Sequence, residues 1–297
     1  MVEQMEVLST PETRFDSFPD FPFDRVRTCI GGGLYVEHAE AGDGPGVVLM
    51  HGQPAWAFLY RTMIESPAEH GFRVVAPDLI GFGRSAKPRV MSVHTYERHV
   101  SWMTAWLDAS DLDGLTLFAQ DWGGLIGLRL LTAQPDRFSR LVVANTGLPT
   151  GHQKMPDAFF AWREFVATTP DFDCGRIVQG ATTRSLSDEE VAAYNAPFPD
   201  DSFRAGPRVL PSLVPTSPDD PSSEHNQAAW AVLSAWQRPT LTLFSDSDPI
   251  TAGGERVFQS RLPGADGQPH RMIENAGHFL QEDAGLVLAD PMAEWMR

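Results

Sequence analysis

At 297 residues, 42% of them hydrophobic, the chain is long enough for one large α/β domain or two smaller ones, with a sizeable buried core. Its net charge of −16, with no basic patch, argues against nucleic acid or an anionic membrane surface as partner. The two cysteines, Cys29 and Cys174, form neither a disulfide framework nor a metal-ligand spacing, so no metal or cofactor is expected.

The N-terminus, MVEQMEVLSTPETRF, has no basic region followed by an apolar one, and so does not read as a signal peptide. No apolar run approaches the roughly 20 residues that span a bilayer. The expectation is a soluble protein of the reducing, cytoplasmic compartment. Residues 1–28 are rich in Pro, Phe and Asp, including Phe15, Phe18, Pro19 and Phe21, and read as an irregular arm packed on the body. Leu34 to Ala39 predicts a strand. The turn Gly42-Asp43-Gly44-Pro45-Gly46 leads to Val47-Val48-Leu49-Met50, a continuous apolar run that suits a strand buried on both faces.

His51-Gly52-Gln53-Pro54 follows. Gly52 permits a backbone turn at the strand's carboxyl end, which can aim the Gln53 amide at a developing oxyanion. Arg73 to Ala76 is another strand. The Gly-rich loop after it, PDLIGFGRS, lacks the P-loop pattern and reads as packing. Thr95 to Ala109 carries apolar residues at helical spacing, with His94 and His99 as surface or packing residues rather than ligands.

Leu115 to Leu130, LTLFAQDWGGLIGLRL, reads as strand, tight turn and helix, the context of a nucleophile elbow in which Asp121 stands where serine is usual. A carboxylate is already ionised at neutral pH and attacks saturated carbon without a base. The plain alternative is that Asp121 only caps the helix that starts at Gly123. The Trp122 amide, just after the nucleophile, pairs with that of Gln53 as a second oxyanion donor.

Leu141 to Ala144 is a further buried strand. Strands and helices alternate up to this point, as in a parallel sheet with helices on both faces. Residues 150–225 break the pattern: they are rich in Pro, Asp and Ser and hold short amphipathic pieces such as Phe159–Val166 and Asp188–Tyr194. They read as a helical cap inserted into an α/β core made of residues 1–149 and 226–297. The core resumes with a helix at Asn226–Trp236, a strand at Thr240–Phe244, the segment Ser245-Asp246-Ser247-Asp248-Pro249, a strand at His270–Ile273, then Asn275-Ala276-Gly277-His278. Leu286 to Trp295 predicts a closing helix with Pro291 as a kink. Asp121, Asp248 and His278 run in the chain order nucleophile, acid, base of α/β-hydrolase triads. Spacing alone leaves Asp246 in competition with Asp248.

Over nearly its whole length the chain resembles a haloalkane dehalogenase of the subfamily whose acid follows the seventh strand. The segments that carry the resemblance are HGQPAWAFLYRTMI, APDLIGFGRSAKP, LFAQDWGGLIGL, APFPDDSFRAGPR, FSDSDPI and AGHFLQED. It implies an α/β-hydrolase fold, a mostly parallel sheet flanked by helices with an inserted helical cap. It also implies hydrolysis of carbon–halogen bonds through an ester on Asp121, with His278 as base and Asp248 as its orienting acid. Trp122 and Trp162 match the family's two halide-binding tryptophans. Asn145 stands where another subfamily carries its acid. Family members usually read HGEP and GRSDKP, whereas Gln53 and Ala86 stand here; the oxyanion donor at 53 is a backbone amide, so that role survives. The implied partners are a small haloalkane and the halide product, on a monomer or weak oligomer. The nearest rival is an epoxide hydrolase, which shares HGxP and an Asp-Trp-Gly elbow but uses two cap tyrosines; residues 150–225 hold only Tyr194. A fluoroacetate dehalogenase, a serine-type esterase and a non-catalytic binder fit the residues less well.

Overall fold

The computed structural model describes residues 5–16, 18 and 21–297; residues 1–4, 17, 19 and 20 of the arm, Pro19 among them, lie outside the described residues. Eight strands form one sheet: β1 Asp24–Gly31, β2 Leu34–Ala41, β3 Gly46–Met50, β4 Arg73–Pro77, β5 Leu115–Gln120, β6 Phe138–Ala144, β7 Thr240–Ser245 and β8 Arg271–Ile273. Their order across the sheet is β8-β7-β6-β5-β3-β4-β2-β1. The pairs β3–β4, β3–β5, β5–β6, β6–β7 and β7–β8 are parallel; β1–β2 and β2–β4 are antiparallel. Val7–Leu8 pairs separately with Lys87–Pro88.

The apolar runs are buried on both faces because successive strand residues point to opposite sides. Val48 and Met50 join one core cluster with Leu117, Ala119, Leu141 and Val143. Val47 and Leu49 join the other with Phe118, Val142 and Ala144. Each fully buried Val, Leu or Phe stabilises by about 1.5–3 kcal/mol relative to exposure.

The helices are α1 Glu65–Glu69, α2 Tyr96–Ala109, α3 Asp121–Ala133, α4 Asp157–Thr168, α5 Cys174–Gly180, α6 Asp188–Asn195, α7 Ala205–Leu213, α8 Ser223–Leu233, α9 Gly254–Arg261 and α10 Leu280–Met296. Helices α4 to α8 all fall between β6 and β7, with no strand among the described residues there.

Two expectations change. The stretch read as an irregular arm, residues 1–28, ends in the first five residues of β1, an edge strand whose exposed, charged positions hide its two-residue period. The arm before it does pack on the body: Phe15, Phe18 and Phe21 lie edge-on or tilted against Trp56. The closing helix runs from Leu280 to Met296 but is broken at non-helical Ala284, so the stretch read from Leu286 to Trp295 forms its second part; the kink lies at Ala284 and not at Pro291, which sits inside that part. His94 and His99 are buried packing residues, stacked on each other with ring centroids 5.3 Å apart.

Candidate active site

Asp121 sits where β5 turns into α3, with φ at 48°, a conformation that side chains rarely adopt. The turn is held from both sides: the Asp121 amide donates to Asn145 O (3.1 Å) and Thr146 Oγ1 donates to Asp121 O (2.7 Å). Close approach explains the glycines. A Cβ on Gly123 would collide with Met50 O, and one on Gly52 with the Asp121 carboxylate. The Asp121 side chain does not cap α3, which has no side-chain cap. Its Oδ1 instead accepts from the Gln53 amide at 2.7 Å, and its Oδ2 lies 3.3 Å from His278 Nε2.

The HGQP turn is braced by His51. Its Nδ1–H donates to Gly52 O (2.8 Å), leaving Nε2 to accept from the Leu79 amide (3.0 Å). Complete burial pushes the His51 imidazole down to about 4, so it stays neutral and keeps that tautomer. The Gln53 side chain donates from Nε2 to Pro207 O at the start of α7 (2.7 Å), a bond that an ionised glutamate has no hydrogen to make. Ala86 is fully buried.

Of the two acids that spacing leaves in competition, the turn after β7 brings Asp248 to the imidazole. Asp248 Oδ2 lies 2.8 Å from His278 Nδ1. Asp248 is also held by the Ile250 amide (2.9 Å) and the Thr251 hydroxyl. Burial would raise its pKa, but the His278 imidazole and these donors hold it below the usual carboxylate value. Asp246 is exposed and turned away, accepting from the Asn275 (3.1 Å) and Ala276 (3.4 Å) amides. Asn145, with φ at 34°, ties three segments together: Nδ2 donates to Ser245 Oγ and to the carbonyls of Gly277 and His278 (2.7, 3.0 and 3.1 Å).

His278 thus lies between two carboxylates. Burial alone would lower its pKa, but Asp248 and Asp121 together push it up to about 10. With Asp121 unmodified, the ring therefore carries a proton at neutral pH.

Above these residues opens a cavity of about 1560 Å³ whose apolar lining includes Leu148, Phe159, Val214 and Ile250. Three tryptophans line it: Trp122, Trp162 and Trp230. Trp230 is already committed, donating from Nε1 to Leu148 O at 2.7 Å. Among the described residues, the indole N–H groups of Trp122 and Trp162 have no protein acceptor. Trp122 is buried edge-on against Tyr96, whereas Trp162 on α4 is half-buried and stacked on Phe165. None of the four tyrosines lines the cavity; Tyr194 is buried with its hydroxyl on Glu282. Sequence reasoning did not find Gln120, whose amide reaches His278 O at 3.3 Å. A lone polar residue at a strand end carries no signal of its own.

The arrangement sets the Asp121 carboxylate between the Gln53 amide and the His278–Asp248 pair, in a cavity whose lining includes two indole N–H groups without a protein acceptor among the described residues. A family model described as the alpha/beta hydrolase fold matches residues 45–285. A haloalkane dehalogenase of Psychrobacter cryohalolentis is 48% identical over 98% of each chain, and one of Mycolicibacterium paratuberculosis is 46% identical over 99% of each. Among solved structures, the tetrameric haloalkane dehalogenase DpaA of Paraglaciecola agarilytica superimposes with a TM-score of 0.90, at 31% identity, covering 98% of this chain and 97% of that one.

Proposed function

The chain belongs to the haloalkane dehalogenase family of α/β-hydrolases, and on that footing we propose how its residues divide the work. It is a hydrolase acting on carbon–halide bonds, converting a haloalkane and water to an alcohol, a halide ion and a proton. The observation that carries the assignment of roles is the chain of contacts from the Gln53 amide through Asp121 and His278 to Asp248, lying under two unpaired indoles.

In the first step an Asp121 oxygen attacks the carbon that bears the halogen. The carbon–halogen bond breaks with its electron pair leaving on the halide, and an ester of Asp121 forms. Trp122 and Trp162 donate to the halide as its charge grows, stabilising it with N–H groups that no protein acceptor occupies among the described residues. Ester formation removes the negative charge beside His278, so the imidazole falls from about 10 and releases its proton. In the second step neutral His278 takes a proton from water, and the resulting hydroxide attacks the ester carbonyl. The amides of Gln53 and Trp122 hold the oxyanion, the alcohol departs and Asp121 is regenerated. Asp248 keeps the ring in the tautomer that exposes Nε2.

We assign residues 150–225 as the cap and the rest as core. The packing of α8 supports a border in its first turn: Asn226 bonds Pro149 O (2.7 Å) and Arg129 (3.2 Å) of the core. We further propose that it acts on a small haloalkane as a monomer or weak oligomer. No helix among the described residues is long and apolar enough to cross a membrane, and we place the protein in the cytoplasm. Ring opening of an epoxide needs an acid in the cap, and Tyr194 faces Glu282 instead. Halide release from bromobutane and dibromoethane, measured beside styrene oxide hydrolysis, tests the whole reading. Bromide release without diol formation is expected; diol without bromide would reverse it.

A further inference from the structure

The loop that carries His278 is anchored to the segment between α5 and α6. The carboxylate of Asp283, in the first turn of α10, collects three backbone amides. Its Oδ1 accepts from Thr183 (2.9 Å) and Arg184 (2.8 Å), and its Oδ2 accepts from Gly277 (2.8 Å), the residue before His278. Thr183 adds a hydroxyl bond to Asn275 O (2.5 Å), and the amide of Phe279, the residue after His278, donates to Ala181 O (3.3 Å). A Cβ on Gly277 would collide with Ala181 O, so the two segments touch backbone to backbone. His278 is therefore flanked on both sides by residues tied, directly or through Asp283, to residues 181–184.

We infer that Asp283 is a positioning residue for the second step: it locks the base's loop to the cap, so that the seating of the cap sets the reach of His278 Nε2 toward the water that attacks the ester. This rests on the assignment of His278 as base. Asp283 bonds neither Asp121 nor the indole donors, and its bonds to the cap run to residues 183 and 184 rather than to α4, so its loss should spare the displacement step. A misplacement of the base by about 1 Å costs on the order of a hundredfold in the step it serves.

The test is rapid-quench kinetics on bromobutane with Asp283→Ala and Asp283→Asn in the full chain, read beside His278→Gln. In Asp283→Ala the first halide per enzyme should appear at the wild-type rate. Steady-state turnover should fall at least tenfold, and the mass of the alkyl-enzyme should accumulate; Asp283→Asn, which keeps one acceptor oxygen, should fall between. Unchanged turnover, or burst and turnover falling together with thermal stability, would overturn the inference in favour of a purely structural anchor. If Asp283→Ala does not fold, Asp283→Asn and Thr183→Val, which removes only the hydroxyl bond to Asn275, are judged by the same split. Failure of His278→Gln to trap the ester would instead overturn the base assignment. Trapping in His278→Gln without trapping in the Asp283 variants would overturn this inference alone.

Discussion

At the carboxyl edge of the sheet, Asp121 and His278 sit on turns fixed by backbone bonds, and the contacts of His278 with Asp121 and Asp248 are already made. In the inserted segment, Trp162 rides on α4, a helix whose Phe160 and Phe165 face solvent, and its N–H is unspent. The edge is thus held by backbone hydrogen bonds, whereas the Trp162 indole is held by packing, stacked on Phe165. Groups that form and break bonds have no tolerance for displacement, while a donor to a halide leaving group tolerates a range of positions.

The contrast is broken most severely at the base. Displacement needs no base, so His278→Gln should release at most one halide per enzyme and keep its alkyl group, visible by mass spectrometry of the denatured protein. Sustained turnover by this variant would remove His278 from the mechanism. Asp248→Asn should slow ester hydrolysis by up to about ten-thousandfold, the scale seen when a triad acid is neutralised. Asp246→Asn, measured by the same turnover assay, should cost far less; equal losses would mean that the acid is misassigned.

On the cap side the expected losses are smaller. Trp162→Phe keeps the ring but removes the N–H, and a preorganised donor is worth on the order of 3 kcal/mol, or about a hundredfold; halide is a weak acceptor, so the loss should stay at or below that. Bromide should perturb the tryptophan fluorescence of the wild type and bind the variant more weakly. Unchanged affinity and unchanged debromination would leave Trp162 as cap packing.

The last effect is on pH-dependent stability rather than on turnover. Since the folded-state pKa of His278 is raised from an ordinary 6.5 to about 10, its protonated ring stabilises the free enzyme fully below about 6.5. That contribution is lost as pH rises through about 10. Asp121→Asn removes one of the two charges responsible, so the histidine titration followed by NMR should move down and the alkaline loss of stability should shrink. An unmoved titration would mean that Asp121 does not hold the proton there.

The same division governs what could be read from the chain. Strands such as Val47–Met50 and Leu115–Phe118 were legible because burial on both faces demands unbroken apolar runs. The order Asp121, Asp248, His278 followed from turns just past those strands. Strand β1 was not legible, since an edge strand with charges at Asp24, Arg25 and Arg27 shows no clear period. Helix α7 contains Pro207 and Pro211, which mark loops more often than helices. The choice between Asp246 and Asp248 depended on which side chain turns inward, and the anchoring of residues 181–184 runs largely through backbone groups, which leave no trace in residue type.

The ester on Asp121 is the claim on which the rest depends, and single turnover in oxygen-labelled water addresses it directly. Attack by Asp121 predicts that the alcohol of the first turnover carries unlabelled oxygen drawn from the carboxylate, with label appearing in Asp121 itself. Labelled oxygen in that first alcohol would mean that water attacks the carbon directly, and would contradict the account.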